Sequence, residues 1–346
     1  MKKKFLTLLA LVTSLAVLTA CGEDNDKKRD KSDRSDRTSD NGDMFADLGD
    51  KYDDLVKDAK NANSTPKPSD VDPDGGDIPV DTENVSDKFD PFLSGEVTAV
   101  IADYDETMLT KDDLYKEVTF DEFTELITYN EYGESATPAI YFSICEWDGE
   151  DILLLKYQGM NIDGADDESY TIVAVSMVDD EYNIAFVDSA WSRCFMIVAE
   201  DGAVYIAGSA GAGDHLSEIG YLGEHGQYEY IGRMEDCTQG WIGSMFEYLP
   251  YGDFSENTIS LAKEIDNIDC GDDYIEIALW YIDDELYGVK LSDGYDDELR
   301  EFMESAEQDG LTWMEVEDIN KMIDDSLIAA GCNPDDIEEP DWQLLY

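Results

Sequence analysis

From about residue 95 to residue 291 the chain repeats one pattern: short apolar stretches rich in β-branched and aromatic residues, separated by acidic turns. Gly95 to Ala102 reads as a first strand. Ala139 to Trp147 then leads through Asp148-Gly149 into Ile152 to Tyr157, and Tyr170 to Val178 through Asp179-Asp180 into Tyr182 to Val187. Phe195 to Ala199 turns at Asp201-Gly202 into Ala203 to Ala207, and Tyr274 to Ile282 at Asp283-Asp284 into Glu285 to Leu291. Strand pairs around Asp-Gly or Asp-Asp predict successive antiparallel hairpins, since aspartate and glycine tolerate the positive φ of a two-residue turn.

Helical spacing frames this series. Thr119 with Glu122 three residues later forms a capping box ahead of the apolar stripe Phe120, Phe123, Leu126 and Ile127. Near the end Leu299, Phe302, Met303 and Ala306 share one helical face, as do Val316, Ile319, Ile323, Leu327 and Ile328, before Gly331 and Pro334 stop the second helix. The expected fold class is α+β: one twisted antiparallel hairpin-rich sheet with a helix near the start and two helices at the C-terminus, over residues 89–346. The hairpins recur at uneven intervals without a shared signature, which argues against propeller blades.

Ahead of residue 89 the pattern changes. Gly22 to Asn41 is almost only Asp, Lys, Arg, Ser and Gly, and Asn61 to Asp90 is broken by Pro66, Pro68, Pro73 and Pro79, so residues 21–88 read as an acidic tether. Within it Met44, Phe45, Leu48, Tyr52, Leu55, Val56 and Ala59 place one apolar stripe on a short helix over residues 44–60. As a flexible coil the tether reaches about 45 Å.

The first 20 residues are a different element again. Lys2, Lys3 and Lys4 precede an apolar run from Phe5 to Leu18, too short to span a bilayer, with small residues leading into Cys21. That is the arrangement of a secretory signal. Leu18-Thr19-Ala20-Cys21 resembles the lipobox of bacterial lipoproteins, and the resemblance implies diacylglyceryl transfer to the Cys21 thiol, cleavage before it, and a protein held on the outer face of the cell membrane. More than one acyl chain on one residue gives stable anchoring where a single chain does not.

Charge narrows the partners. The chain of 346 residues has a formal net charge of −60, and without its first 20 residues it carries 20 basic against 83 acidic side chains, a net of −63. Such a field disfavours nucleic acid and anionic lipid and favours cations or basic partners. Hydrophobic residues make up 42% and aromatics 11%, which is too apolar for a disordered chain, so a core is expected. Besides Cys21 there are five cysteines, Cys145, Cys194, Cys237, Cys270 and Cys332, with no Cys-x-x-Cys among them; zinc and thioredoxin-like chemistry have little support.

Three segments of the body carry a second resemblance. Glu146-Trp147-Asp148-Gly149-Glu150-Asp151-Ile152-Leu153-Leu154-Leu155, Trp191-Ser192-Arg193, and Gly208-Ser209-Ala210-Gly211-Ala212 are similar to elements of acidic surface lipoproteins of anaerobic Firmicutes. Over about residues 89–310 this implies architecture and location, with no activity attached. In that family's turn an Asp-rich loop enters the strand; here Ile144 and Ile152 stand where oxygen ligands belong. Glu146 and Asp148 remain as a calcium candidate with too few oxygens for the six to eight that calcium takes.

Other candidates are thinner. His215 and His225, flanked by Asp214, Glu218 and Glu224, have the residue types of a transition-metal site but no helical ligand spacing. Gly208 to Gly213 lacks the Gly-Lys-Ser/Thr of a phosphate loop, and Ala207 breaks the Gly-x-Ser-x-Gly that Ser209 would need as a nucleophile. Trp191, Tyr205 and Trp241, with Tyr221, Tyr228 and Tyr230, are candidates for a sugar-stacking platform on a sheet face. With 83 acids a carboxylate pair for glycoside hydrolysis is always at hand and singles out no site.

The resulting expectation is a membrane-anchored extracytoplasmic lipoprotein without a cofactor, working as a non-catalytic binding or structural module toward a glycan or protein at the cell surface. The alternative is a surface hydrolase acting on glycan or peptide. A transporter's substrate-binding protein is disfavoured, because strands and helices do not alternate regularly.

Overall fold

The computed structural model describes residues 87–103, 109–128, 138–147, 149–159, 169–190, 194–209, 214–270, 274–292, 294–335 and 337–345. The signal segment, Cys21, the tether and the stripe over residues 44–60 lie outside the described residues. So do Asp148, Trp191 to Arg193 and the glycine-rich run from Ala210 to Gly213.

The body opens with a short helix, α1 (Asp90–Leu93), then β1 (Ala99–Ile101), β2 (Glu117–Val118) and α2 (Phe120–Thr128). The strand expected from Gly95 is shorter because Glu96 and Val97 donate their N–H groups to Pro91 O and so close the end of α1. In α2 the capping box forms in both directions: Glu122 N–H donates to Thr119 Oγ1 at 3.3 Å and Thr119 N–H to Glu122 Oε2 at 2.9 Å.

A meander follows, β3 (Ala139–Trp147), β4 (Glu150–Gln158), β5 (Tyr170–Val178) and β6 (Glu181–Ala190), then β7 (Cys194–Val198), β8 (Ala203–Ser209), β9 (Asp214–Leu222), a 3-10 turn at Glu224–Gly226, and β10 (Tyr228–Thr238). Two helices, α3 (Ile242–Tyr248) and α4 (Glu256–Ile265), separate β10 from the hairpin β11 (Glu276–Ile282) and β12 (Glu285–Lys290). The body ends with α5 (Asp296–Gln308), β13 (Thr312–Trp313), α6 (Val316–Ala329) and β14 (Gln343–Leu344). The two Asp-Asp hairpin turns have positive φ at both central residues, 52° and 66° at Asp179 and Asp180, 52° and 65° at Asp283 and Asp284. This is the backbone that matches the twist of the flanking strands.

The chain is a mixed α+β body, mostly sheet, but the expected single sheet is corrected. Among the described residues there are two sheets of seven strands, ordered β14-β3-β4-β5-β6-β1-β2 and β13-β12-β11-β10-β9-β8-β7. Nor is either wholly antiparallel, since β1 runs parallel to β6 and β12 parallel to β13. A twisted open sheet rarely exceeds about ten strands, and β4 shows why this one divides. Its consecutive Ile152, Leu153, Leu154 and Leu155 are all buried, so both faces of the strand need a cover. Leu153 and Leu155 pack with Phe92, Phe120 and Phe123 of α1 and α2. Ile152 and Leu154 pack with Met196, Val198 and Val204 of the second sheet.

The second sheet is covered in three parts. Its β7–β9 half lies on the first sheet, while Cys237, Ile277 and Leu279 pack under Met245, Phe246, Ile265 and Phe302 of the helical cap α3–α5. The opposite face carries α6, which lies against β9 and β10. Between the first sheet and the helical cap, one face of β9–β11 is left with a polar seam.

Candidate functional site

Strand register builds this seam. Arg233 on β10 stands directly opposite Glu218 on β9 and Tyr281 on β11, so the three side chains share a face. Glu235, two residues further along β10, falls on the same side. A register shift between Tyr230 and Gly232 inserts Ile231 and brings Tyr228 and Tyr230 onto that face as well. Tyr251, in the loop after α3, closes the seam: its ring stacks on Tyr281 at 4.5 Å and 12° between planes.

The contacts link nearly every member. Arg233 Nη2 donates to Glu235 Oε1 at 3.3 Å, and the guanidinium lies 5.8 Å from the centre of the Tyr251 ring. The Tyr228 hydroxyl donates to Glu218 Oε1 at 3.0 Å, and the Tyr230 hydroxyl donates to the Tyr281 carbonyl at 3.1 Å. The Tyr281 hydroxyl in turn donates to Asp284 Oδ1 at 2.8 Å. Phe186 of the first sheet abuts Tyr228 at 5.7 Å between ring centres. Arg233 is 7% exposed at the floor and Tyr230 is 39% exposed at the mouth, so the seam opens to solvent at its tyrosine end.

Burial sets the proton affinities. Desolvation raises both Glu218 and Glu235 above the usual carboxylate range; the Arg233 charge opposes it in both, as do the hydrogen bonds from Tyr228 and from Arg233 respectively. Tyr228, Tyr230 and Tyr251 are all raised, by desolvation first, so their hydroxyls stay neutral. The seam thus offers one fixed positive charge, two carboxyl groups poised to hold protons, and aromatic faces. It can stack and hydrogen-bond a polar ligand, and a raised carboxyl is the form a general acid takes.

The residues expected from the sequence fall elsewhere. Tyr205 on β8 stands opposite Ile219 on β9, on the α6 side of the sheet; its buried hydroxyl has no hydrogen-bond partner among the described residues, and burial, with Asp201 next, pushes the phenol up. Trp241 precedes α3 and is 54% exposed. Trp191, the third residue of the expected platform, lies outside the described residues. Tyr205 and Tyr221 lie on one face and Tyr228 and Tyr230 on the other, because the pleat alternates.

Glu146 is an exposed residue of β3 opposite Asp151, and the calcium candidate cannot be completed without Asp148, which is not described. His215 and His225 sit at opposite ends of β9, each on its own carboxylate: His215 Nδ1 is 2.9 Å from Asp236 Oδ1, and His225 Nδ1 is 2.9 Å from Glu150 Oε2. They do not converge. Among the described residues no group of three or more His, Cys, Asp or Glu side chains is arranged to hold a metal ion.

Glu235, Arg233, Tyr251 and Tyr281 did not stand out in the sequence. Arg233 and Glu235 stand two apart on β10, but Glu229 and Asp236 on the same strand carry charge too, so charge alone did not single them out.

No protein-family model matches this chain. No curated protein and no solved structure matches it significantly either. The functional reading therefore rests on the seam and on the sequence.

Proposed function

We propose that this protein is a membrane-anchored extracytoplasmic lipoprotein whose body is a non-catalytic binding module, with the tyrosine-lined seam as its ligand site and a surface glycan as its ligand. The observation that carries the reading is the seam itself. A sheet face between two apolar layers would be expected to hold aliphatic side chains, and instead holds Glu218, Arg233 and Glu235 among four tyrosines. Replacing a buried ion pair by apolar residues is often neutral or stabilising, so stability alone gives little reason for such a cluster. Aromatic faces beside carboxylate and guanidinium groups suit the alternating C–H and hydroxyl surfaces of a sugar.

The anchor rests on Leu18-Thr19-Ala20-Cys21 behind its apolar run. It is tested by feeding an alkyne fatty acid to expressing cells. Label on the wild-type chain and none on Cys21→Ser supports the anchor; equal labelling refutes it. The binding reading is tested by thermal unfolding of the full chain against a panel of wall and plant glycans at fixed ionic strength, because a ligand of the native state raises the melting temperature. A shift lost in Tyr230→Ala supports the seam. Identical shifts in wild type and variant remove the ligand from it.

A second reading is a surface hydrolase acting on glycan or peptide, favoured by the two raised carboxyls of Glu218 and Glu235 on one face. It requires product release by the wild type that Glu218→Gln and Glu235→Gln abolish while the binding shift persists.

A further inference from the structure

A second concavity, distinct in its lining from the seam, lies where the turn after β9 meets the first sheet. The turn Glu224–Gly226 belongs to the connection between β9 and β10, yet it docks against β4, β5 and β6 of the first sheet. At Gly226 a β-carbon would meet Ile152 at 3.5 Å and Ala185 at 3.7 Å, ordinary packing distances, so it is the φ of 73° that favours glycine. Beside it the turn, the end of β1 and the β5–β6 hairpin leave a pocket of about 160 Å³ lined by Ala102, Ser176, Val178, Asn183, Ala185, His225 and Gln227. A register shift between Ala174 and Val175 leaves Ala185 as an extra residue on β6, which widens the hairpin at this point.

The chemistry of the lining is specific. Ser176 is 0% exposed and its Oγ has no hydrogen-bond partner among the described residues. A buried hydroxyl without a partner costs free energy, and such a group calls for an explanation. Asn183 gives an amide hydrogen to the Glu181 carbonyl at 3.1 Å, which leaves its side-chain oxygen as an acceptor. Both ring nitrogens of His225 are turned to carboxylates, Glu150 at 2.9 Å and Glu224 at 3.5 Å, and Asp179 adds a further negative charge nearby. The walls between these groups are the methyl groups of Ala102, Val178 and Ala185.

We propose that this pocket binds a primary alkylammonium group, with the ammonium at Ser176 Oγ and the side-chain oxygens of Asn183 and Gln227, and its short aliphatic stem along Ala102, Val178 and Ala185. Three acceptors match the three donors of an ammonium. The acidic side chains at the mouth and the net charge of −60 concentrate cations and repel anions. A neutral alcohol brings one donor and gains nothing from the field. At about 30 Å³ for each water, the volume admits a ligand of about five or six heavy atoms. Such a group is carried by a free small amine or by a lysine side chain of a partner, and the two differ in what remains outside the pocket.

Calorimetric titration of the full chain with n-butylammonium, sodium, 1-butanol and Nα-acetyl-lysine amide at fixed ionic strength tests this. Saturable binding of n-butylammonium is expected, with none for sodium or 1-butanol. Tighter binding of the lysine amide would assign the natural ligand to a side chain, and weaker binding to a free amine. Ser176→Ala removes no protein contact and should lower the affinity about tenfold, the scale of one hydrogen bond to a charged group. Gln227→Leu, at an exposed rim position, should lower it without touching the fold. Equal responses to sodium and n-butylammonium, or affinity unchanged in both variants, would overturn the proposal.

Discussion

Tyr228 lies flat across Gly220. A β-carbon at residue 220 would come within 2.4 Å of the tyrosine ring and 2.6 Å of the Glu229 carbonyl. The ring can cross β9 only because that position has no side chain, and its hydroxyl thereby reaches Glu218 two residues away. Gly220→Ala should therefore lift Tyr228 off the strand, break the bond to Glu218 and destabilise the fold by about 1–3 kcal/mol, as overpacking does. Chemical denaturation measures the loss, and glycan binding at the seam should fall with it.

Arg233 holds two half-buried carboxylates. Both glutamates have folded proton affinities raised by burial, so each contributes stability that is present below its unfolded pKa and is lost as pH rises through the folded value. Removing the guanidinium leaves these charges without their counter-ion. Arg233→Met should cost about 3–5 kcal/mol at pH 7. The loss should shrink on titration toward pH 4 as Glu218 and Glu235 take up protons; a pH-independent loss would mean that packing, not charge, is what Arg233 supplies.

His225 joins the two sheets through Glu150. The hydrogen bond it donates to the Glu150 carboxylate is the main cause of its raised proton affinity. Its contribution is complete below the unfolded histidine value of about 6.5 and disappears as pH rises through the higher folded value. Both partners are partly open to solvent, at 31% and 39% of their side-chain surface, so the pair is worth no more than about 1 kcal/mol. Glu150→Gln should lower the melting temperature at pH 6 and leave it unchanged at pH 9.

Asp113 titrates with the opposite sign. Its carboxylate accepts from Lys116 Nζ at 2.6 Å and from Thr110 Oγ1 and N–H, and the Lys116 bond leads in lowering it to about 2. The stability it gives is present above about pH 4 and lost as pH falls toward 2. Asp113→Asn should destabilise the turn before β2 by about 1 kcal/mol at neutral pH, with wild type and variant converging in acid unfolding.

Local signals carried much of this architecture. The Thr119 and Glu122 box and the Asp179-Asp180 and Asp283-Asp284 turns are each decided within four residues, and each is visible as such a window. What local patterning does not contain is which strands share a sheet. Nothing near Ala190 says that pairing stops and that the next strand starts a second sheet; the division follows from the need to cover both sides of β4. The helices α3 and α4 were hidden for a related reason. Their buried apolar residues, Ile242, Met245 and Phe246 in one and Ala262 and Ile265 in the other, have helical spacing but cover only about one turn each, too few to declare a stripe. The seam was illegible because its members come from three strands and a loop, and only the register places Glu218, Arg233 and Tyr281 side by side. Parity places Tyr205 apart from Tyr228 and Tyr230: one residue along a strand is the other side of the sheet.

Residues 343 and 344 pair with Phe142 and Tyr141 on β3, and the Leu345 N–H donates to the Ile140 carbonyl. The free rim of the first sheet is thus closed by a segment about 200 residues downstream, a contact of very high sequence separation whose loop-closure entropy makes it slow to form. A ribosome releasing this chain from its N-terminal end exposes the rim of β3 throughout synthesis, and the first sheet can be finished only after the last strand emerges. Until residues 343–345 arrive, the backbone groups of that β3 rim stay open to pairing with any other extended segment.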